Sequence, residues 1–176
     1  EVWRGFQEGL DVVIVNPGVI FGNGFPKEGS ALFIQNIKKG QSFYTLGKLG
    51  IVAVEDVVKA MTTLMKSTIS GERFILVAED VTYKEFFDRI AEALRQVQCD
   101  KKIKKPKYLV KKWQTQIVSV LEFVFSTLFF RKRMLTKSTI NSLYNLEIHD
   151  SSKIKKAIDF EFCDMKVYLK ELIEKR

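Results

Sequence analysis

Asp11-Val12-Val13-Ile14-Val15-Asn16-Pro17-Gly18-Val19-Ile20-Phe21-Gly22-Asn23-Gly24 is the stretch whose reading decides the fold. Val12 to Val15 is a run of β-branched aliphatics, which suits a strand buried on both faces of a parallel sheet. Asn16-Pro17-Gly18 is expected to end that strand, because proline lacks a ladder donor and glycine lets the backbone turn sharply. In an open α/β sheet, ligands bind just beyond the carboxyl ends of strands. Asn16 to Gly24 is therefore a candidate ligand loop; a plain strand-to-loop turn is the other reading.

Moving outward, Glu1 to Gly9 reads as a helix already under way, with Val2, Trp3 and Phe6 on one face and Gly9 as its stop. This start leads us to expect the C-terminal part of a longer protein. After the loop, Ser30 caps a helix through Leu32, Phe33, Ile34 and Ile37, ended by Gly40. Phe25 to Gly29 reads as a binding loop or a connector. Ser42–Leu46 and Ile51–Val54 read as two strands, with Gly47-Lys48-Leu49-Gly50 as a hairpin turn. Glu55-Asp56 then opens a helix through Val57, Ala60 and Leu64, where two carboxylates suit the helix dipole and cap free N–H groups. A strand over Phe74–Ala78 follows. Thr82-Tyr83-Lys84-Glu85 has capping-box spacing and starts a helix with Phe86, Phe87, Ile90, Ala91 and Leu94 on one face.

Lys101-Lys102-Ile103-Lys104-Lys105-Pro106-Lys107 is a basic linker, and Pro106 disfavours a helix through it. Tyr108 to Phe130 reads as a long helix. Its apolar part, Ile117–Phe130, falls short of the ~20 residues that a spanning helix needs. Arg131-Lys132-Arg133 follows it. We expect a helix packed on the domain, with a helix lying on an anionic membrane surface as the alternative. Further helices are expected from Leu135–Thr139 with Thr136 as cap, from Asp150-Ser151-Ser152-Lys153, and from about Asp164 to the end.

The 176 residues amount to one domain or parts of two. The net charge of +8 is spread along the chain, and the lysine run carries no interleaved aromatic platform. It is read as a solvated loop, so no nucleic-acid partner is assigned. Cys99 and Cys163 have no metal-site spacing and read as reduced thiols of a cytoplasmic protein. His149 is the single histidine and reads as a loop residue. No metal ligand is assigned.

Three segments carry a family resemblance. Asn16-Pro17-Gly18-Val19-Ile20-Phe21-Gly22 resembles the (Arg/Asn)-Pro-x-x-(Val/Ile)-(Tyr/Phe/Leu)-Gly segment of extended short-chain dehydrogenases. Val52-Ala53-Val54-Glu55-Asp56-Val57-Val58-Lys59-Ala60 is similar to their Val-His-Val-x-Asp-Val-Ala-x-Ala signature. Gly71-Glu72-Arg73-Phe74-Ile75-Leu76, with its Thr-capped helix, resembles their Gly-x-Arg-Tyr-Ile-Leu segment. The order is collinear, and Asp150 to Phe160 adds an Asp-x-Ser-Lys stretch ahead of a Leu-Gly-Phe-like one. The chain is thus similar to the C-terminal part of the NAD-dependent epimerase/dehydratase family, on its dihydroflavonol-reductase-like side.

The resemblance implies an α/β fold: the last strands of a partial Rossmann-like parallel sheet, plus a mostly helical C-terminal substrate-binding part. Residues 1–100 would hold the first with interleaved substrate-side elements, and 101–176 the second. It implies NAD or NADP as cofactor of the full-length protein, with Asn16, Pro17, Gly18, Val19 and Ile20 lining the nicotinamide pocket and the Val19 N–H holding the carboxamide. Phe21, Phe33, Tyr44 and Ile51 are the candidate substrate walls; each also reads as an ordinary core residue. Where sugar-nucleotide epimerases carry an Arg-Asp pair whose arginine holds the diphosphate, this chain has Leu49 and Gly50. That favours an apolar or weakly polar carbonyl or alcohol, or a sugar-like small molecule, as substrate, without a diphosphate. The pyrophosphate turn and the Tyr-x-x-x-Lys pair are expected upstream of Glu1, so no catalytic residue is assigned. The remaining partner is then the missing N-terminal half of the same domain, and the 176 residues alone are expected to be inactive. A non-catalytic binding or membrane-surface protein derived from this fold is the alternative.

Overall fold

The computed structural model describes residues 2–24, 28–98, 103–119 and 137–175. In chain order the elements are α1 (Val2–Gln7), β1 (Val13–Pro17), β2 (Val19–Phe21), α2 (Ala31–Lys38), β3 (Phe43–Tyr44), β4 (Lys48–Ala53), α3 (Val54–Met65), β5 (Glu72–Leu76), β6 (Glu79–Thr82), α4 (Tyr83–Gln98), β7 (Tyr108–Leu109), α5 (residues 112–119), α6 (Lys137–Leu143), α7 (Ser152–Ile158) and α8 (Met165–Glu174). Two compact units form: one from Glu1–Leu32, Gly50–Asp80 and Ile148–Arg176, the other from Phe33–Leu49 and Val81–Glu147. The units interleave along the chain.

In the first unit, β1 pairs in parallel with β5, from Val13 opposite Glu72 to Pro17 opposite Leu76. The α/β reading with a parallel sheet therefore holds. Two details differ from the sequence reading. Pro17 stays in the ladder, and the break falls at Gly18, whose N–H still reaches the Leu76 carbonyl at 3.0 Å. Residues Val13, Ile14 and Val15 are half-buried, not covered on both faces. The physical reason is that β5 is the one strand beside β1 among the described residues. A cleft of about 760 Å³ lies alongside, lined by Val13, Val15, Met61, Leu64, Met65 and Ile69 among others.

The core of this unit gathers Val52, Val57, Ala60, Leu64, Phe74, Leu76, Ile154 and Phe160. Residues 57, 60 and 64 of α3 recur at helical spacing and so reach one face. Burying each large side chain contributes roughly 1.5–3 kcal/mol. Asp164 caps α8 by accepting the N–H groups of Lys166 and Val167, while Leu169, Leu172 and Ile173 turn inward. The Glu55–Asp56 pair sits in the first turn of α3, as the dipole favours, but no side chain caps that helix.

The second unit overturns the hairpin. The β3 strand pairs in parallel with β7, Phe43 opposite Tyr108, and not with β4. Gly47 to Gly50 makes no turn, because the N–H groups of Gly47 and Lys48 are taken by the carbonyls of Leu143 (3.2 Å) and Asn145 (2.7 Å). Half of the capping box forms: the Glu85 N–H donates to Thr82 Oγ1 at 3.2 Å, while the Glu85 carboxylate pairs with Arg89 at 2.7 Å. Behind it Phe86, Phe87, Ile90, Ala91 and Leu94 are all buried. Phe33 stands edge-on to Phe86 with ring centroids 5.5 Å apart.

The long helix expected from Tyr108 begins instead at residue 112, because Tyr108–Leu109 belongs to β7. Trp113 and Ile117, expected to pack on the domain, are 56% and 52% exposed. Residues 120–136, with Leu121 to Phe130, Arg131-Lys132-Arg133 and the Thr136 cap, lie outside the described residues, as do Phe25–Lys27 and Cys99. Among the described residues no helix is long and apolar enough to cross a membrane.

Candidate functional site

The deciding stretch marks the place where two sheets part. β1 and β5 are neighbours in the first sheet, while in the second β4 lies between β2 and β6. The paired strands therefore separate after Pro17 and Leu76, and Gly50 of β4 enters the gap. A Cβ on Gly18 would lie 2.5 Å from the Gly50 carbonyl oxygen and 3.1 Å from Val77 Cγ2, so glycine is required by this approach. β2 then continues beside β4, with Val19 opposite Ile51 and Ile20 opposite Val52. Such a parting beyond the carboxyl ends of parallel strands is where open α/β sheets hold ligands.

The candidate residues distribute unevenly around this point. Asn16, Pro17 and Ile20 are exposed, and Gly18 and Val19 are half-buried. Phe21 and Ile51 are fully buried in the core. The Phe21 carbonyl accepts a hydrogen bond from the Tyr168 hydroxyl at 3.1 Å, which ties α8 to the end of β2. Phe33 and Tyr44 belong to the second unit, and there they pack against Phe86 and under Lys84. The first unit thus brings Asn16–Phe21 and Ile51 together.

The described residues suit one end of a dinucleotide. Asn16 offers two donors and an acceptor at the exposed strand end, and Pro17 and Ile20 offer apolar surface. The pyrophosphate end is another matter. It needs a Gly-rich turn leading into a helix N-terminus. The space beside Gly18 is filled by Gly50 and that beside Gly22 by Val54, so these glycines serve packing. After Gly24 the next helix among the described residues begins at Ala31.

Two Tyr-x-x-x-Lys spacings do occur, Tyr44 to Lys48 and Tyr108 to Lys112. Neither lies on a single helix: Tyr44 is in β3 and Lys48 in β4, and Tyr108 is in β7 ahead of α5. A lysine lowers the pKa of a nearby phenol only when both sit on one helix face or in contact. No acid–base role is assigned to them.

Three further polar ties fix the surroundings, and sequence reasoning missed all of them. Asp80 accepts the His149 backbone N–H at 2.7 Å and its Oδ1 lies 2.7 Å from His149 Nδ1. This pair presses against Gly50, where a Cβ would meet His149 Nδ1 at 3.0 Å. Ser151 Oγ donates to the Val77 carbonyl at 2.8 Å and accepts the Val77 N–H at 3.1 Å. Asp56, buried, accepts the Cys163 N–H at 3.0 Å. Each joins residues 69 or more positions apart, so no local pattern announces it.

The electrostatics argue against a reactive thiol here. Cys163 keeps surface as a residue, yet desolvation, the hydrogen bond to Asp56 and the charges of Asp56 and Glu55 push its thiol up to about 12. Desolvation and the 2.5 Å hydrogen bond to Glu55 likewise raise Tyr168. Both stay protonated at neutral pH, so neither is a nucleophile or a base there. Among the described residues no group of three His, Cys, Asp or Glu side chains is placed to hold a metal.

No protein-family model matches the chain, and no curated protein matches it in sequence. Solved structures do match in fold. The chain is similar to a nucleoside-diphosphate-sugar epimerase from Pseudomonas aeruginosa, at 16% identity and TM-score 0.75, over 98% of this chain and 50% of that one. It is similar to a dTDP-glucose 4,6-dehydratase from Bacillus anthracis in complex with NAD, at 14% identity and TM-score 0.57, over 98% and 46%. A human epimerase family protein with NADPH matches at 14% identity and TM-score 0.64, over 93% and 48%. The fold is therefore the Rossmann-like α/β fold of NAD-dependent epimerases and dehydratases. The chain spans about half the length of the solved structures it matches. Of these, the Bacillus anthracis dehydratase holds NAD and the human protein NADPH.

Proposed function

We propose that this chain supplies the nicotinamide loop and part of the substrate-side framework of an NAD(P)-dependent oxidoreductase acting on a carbonyl or alcohol group of a small molecule. The observation that carries this reading is the parting of β1 and β5 around Gly18 and Val77, with Asn16, Pro17 and Ile20 exposed at its mouth. In this reading Asn16 to Ile20 line the nicotinamide, the Val19 N–H holds its carboxamide, and the bound nicotinamide supplies or takes up hydride. The pyrophosphate turn and a helical Tyr-x-x-x-Lys pair come from the remainder of the domain. Among the described residues β1 has only β5 beside it, and its other edge, with the cleft there, is the surface that remainder covers.

The substrate in this reading carries no diphosphate. Leu49 is buried, and Gly50 is hemmed in by His149, Asp80 and Val77, so neither position offers a cation or room for one. Without a fixed cation, a diphosphate lacks its strongest charge-assisted partner.

Calorimetric titration tests the proposal. NAD and NADPH are titrated into the 176-residue chain and into a protein extended upstream in its natural reading frame. Binding by the extended protein, weak or no binding by the shorter one, and a loss of about 3–10-fold on Asn16→Ala, the scale of one hydrogen bond, are expected. No binding of either cofactor by the extended protein would overturn it.

A further inference from the structure

Helix α5 is built the reverse of a helix that packs on a soluble core. Thr115 and Ser119, four residues apart, face inward and are buried. Thr115 Oγ1 lies 2.7 Å from the Tyr144 hydroxyl, which donates to the Val110 carbonyl at 2.8 Å. Trp113 and Ile117 flank Thr115 by two positions, which puts both on the opposite face of the helix. They are 56% and 52% exposed, where an amphipathic helix of a globular protein would bury them.

The adjoining chain is equally one-sided in charge. Residues 103–119 contain Lys104, Lys105, Lys107, Lys111 and Lys112 and no Asp or Glu. Lys105 reaches Glu92 at 3.6 Å, and the other four lysines are exposed. The β3–β7 pairing adds aromatic surface that the sequence did not reveal. Phe43 and Tyr108 lie side by side with ring centroids 6.1 Å apart, 58% and 63% exposed.

We propose that this face seats on an anionic lipid bilayer, with α5 lying in the plane of the interface. Tyr108 and Trp113 are the side-chain types that settle at headgroup level, and Ile117 adds the apolar contact below them. Lys104, Lys107, Lys111 and Lys112 complement the negative leaflet surface. A second copy of the chain is a poor occupant, because a two-fold contact would set these lysines against themselves. A nucleic acid would use the lysines but give Ile117 no stacking or hydrogen-bonding role.

The test uses Trp113 as the reporter. The chain has two tryptophans, so Trp3→Phe leaves Trp113 alone. Its emission is followed on adding vesicles of phosphatidylcholine with about 30% phosphatidylserine, and vesicles of phosphatidylcholine only. We expect a blue shift and quenching by brominated lipid with the anionic vesicles alone, reversed in about 1 M salt, where the Debye length is about 3 Å. In co-sedimentation, the exposed pairs Trp113→Ser with Ile117→Ser, and Lys111→Glu with Lys112→Glu, should each lower vesicle binding about tenfold or more with the thermal melt unchanged. Unmoved Trp113 emission, equal binding to neutral vesicles, or native binding by both double variants would overturn the proposal. Because no cofactor is involved, these outcomes are independent of the oxidoreductase reading.

Discussion

A Cβ on Gly18 would stand 2.5 Å from the carbonyl oxygen of Gly50 and 2.9 Å from its carbonyl carbon. This approach lets β4 enter between β2 and β6 where β1 and β5 separate. Backbone atoms held in a sheet cannot swing aside as a side chain can. Gly18→Ala is expected to destabilise the protein by about 2–3 kcal/mol, the upper range for overpacking. The loss should appear as a lower urea midpoint at unchanged slope. Gly22 is the control: a Cβ there would also meet a neighbour at 2.5 Å, but that neighbour is Val54 Cγ1, a half-buried side chain. Gly22→Ala should cost about 1 kcal/mol. Equal losses at the two glycines would mean that β4 can yield at Gly50.

Asp56 holds the Cys163 N–H and also helps keep its thiol protonated. The folded-state thiol titrates at about 12 against an ordinary 9.0, chiefly through desolvation and then the Asp56 hydrogen bond. The native state thus binds this proton more tightly than the unfolded chain. Its contribution to stability is complete below pH 9 and is lost as pH rises toward 12. Cys163→Ala should therefore flatten the decline in stability over that window, measured by urea midpoints at stepped pH. In a Cys99→Ser background, Asp56→Asn should lower the pH at which iodoacetamide reacts with Cys163, since the charge next to the thiol is gone. An unchanged alkylation profile would mean that Asp56 does not control the thiol.

What the sequence disclosed was set by how local each signal is. Apolar spacing at Val57, Ala60 and Leu64, and the capping residue Thr82, act within a turn or two of helix, and these elements formed as read. Strand partners are not local. The pairing of Phe43 with Tyr108 spans 65 residues of chain, and nothing around Gly47–Gly50 distinguishes a turn from a strand whose donors go to Leu143 and Asn145. The break near Asn16 was legible only in part: Asn16 and Pro17 stay in β1, the ladder ends at Gly18, and Val19–Phe21 forms a new strand, β2. The Asp80–His149 and Ser151–Val77 ties were not, because each partner is an ordinary polar residue until the fold brings the other to it. For Trp113 and Ile117 the sequence left packing on the domain and exposure as alternatives, since helical periodicity says which residues share a face and not which way it turns.

Asp159 ends α7 in the left-handed region, with φ at +48°. It stands where the resemblance has the glycine of a Leu-Gly-Phe-like segment. An L side chain is strained in that conformation, and aspartate is among the few that tolerate it. Asp159→Gly should stabilise the protein by about 0.5–1 kcal/mol, and Asp159→Val should destabilise it by at least as much. Thermal unfolding would register the two as shifts of opposite sign. A Gly variant no more stable than the parent would mean that the Asp159 side chain supplies a compensating contact.

Ser151 is the hinge pin between α7 and the end of β5. Its hydroxyl both donates to the Val77 carbonyl and accepts the Val77 N–H, and Ser151 and Val77 are both buried. With Ser151→Ala, two buried backbone groups lose their partner at once, and a methyl group cannot replace either bond. Leaving a buried polar group unsatisfied costs about 1–3 kcal/mol, so the variant should lose about 2–3 kcal/mol. Hydrogen exchange at the Val77 amide gives the specific readout: it should accelerate more than the amides of Phe74 and Leu76, which lie in the β1–β5 sheet. Ser152→Ala, one residue along and exposed, is the control and should stay within about 0.5 kcal/mol of the parent. A Val77 amide as well protected in Ser151→Ala as in the parent would mean that another donor or water takes the place of the hydroxyl, and that the sheets part at Val77 without help from α7.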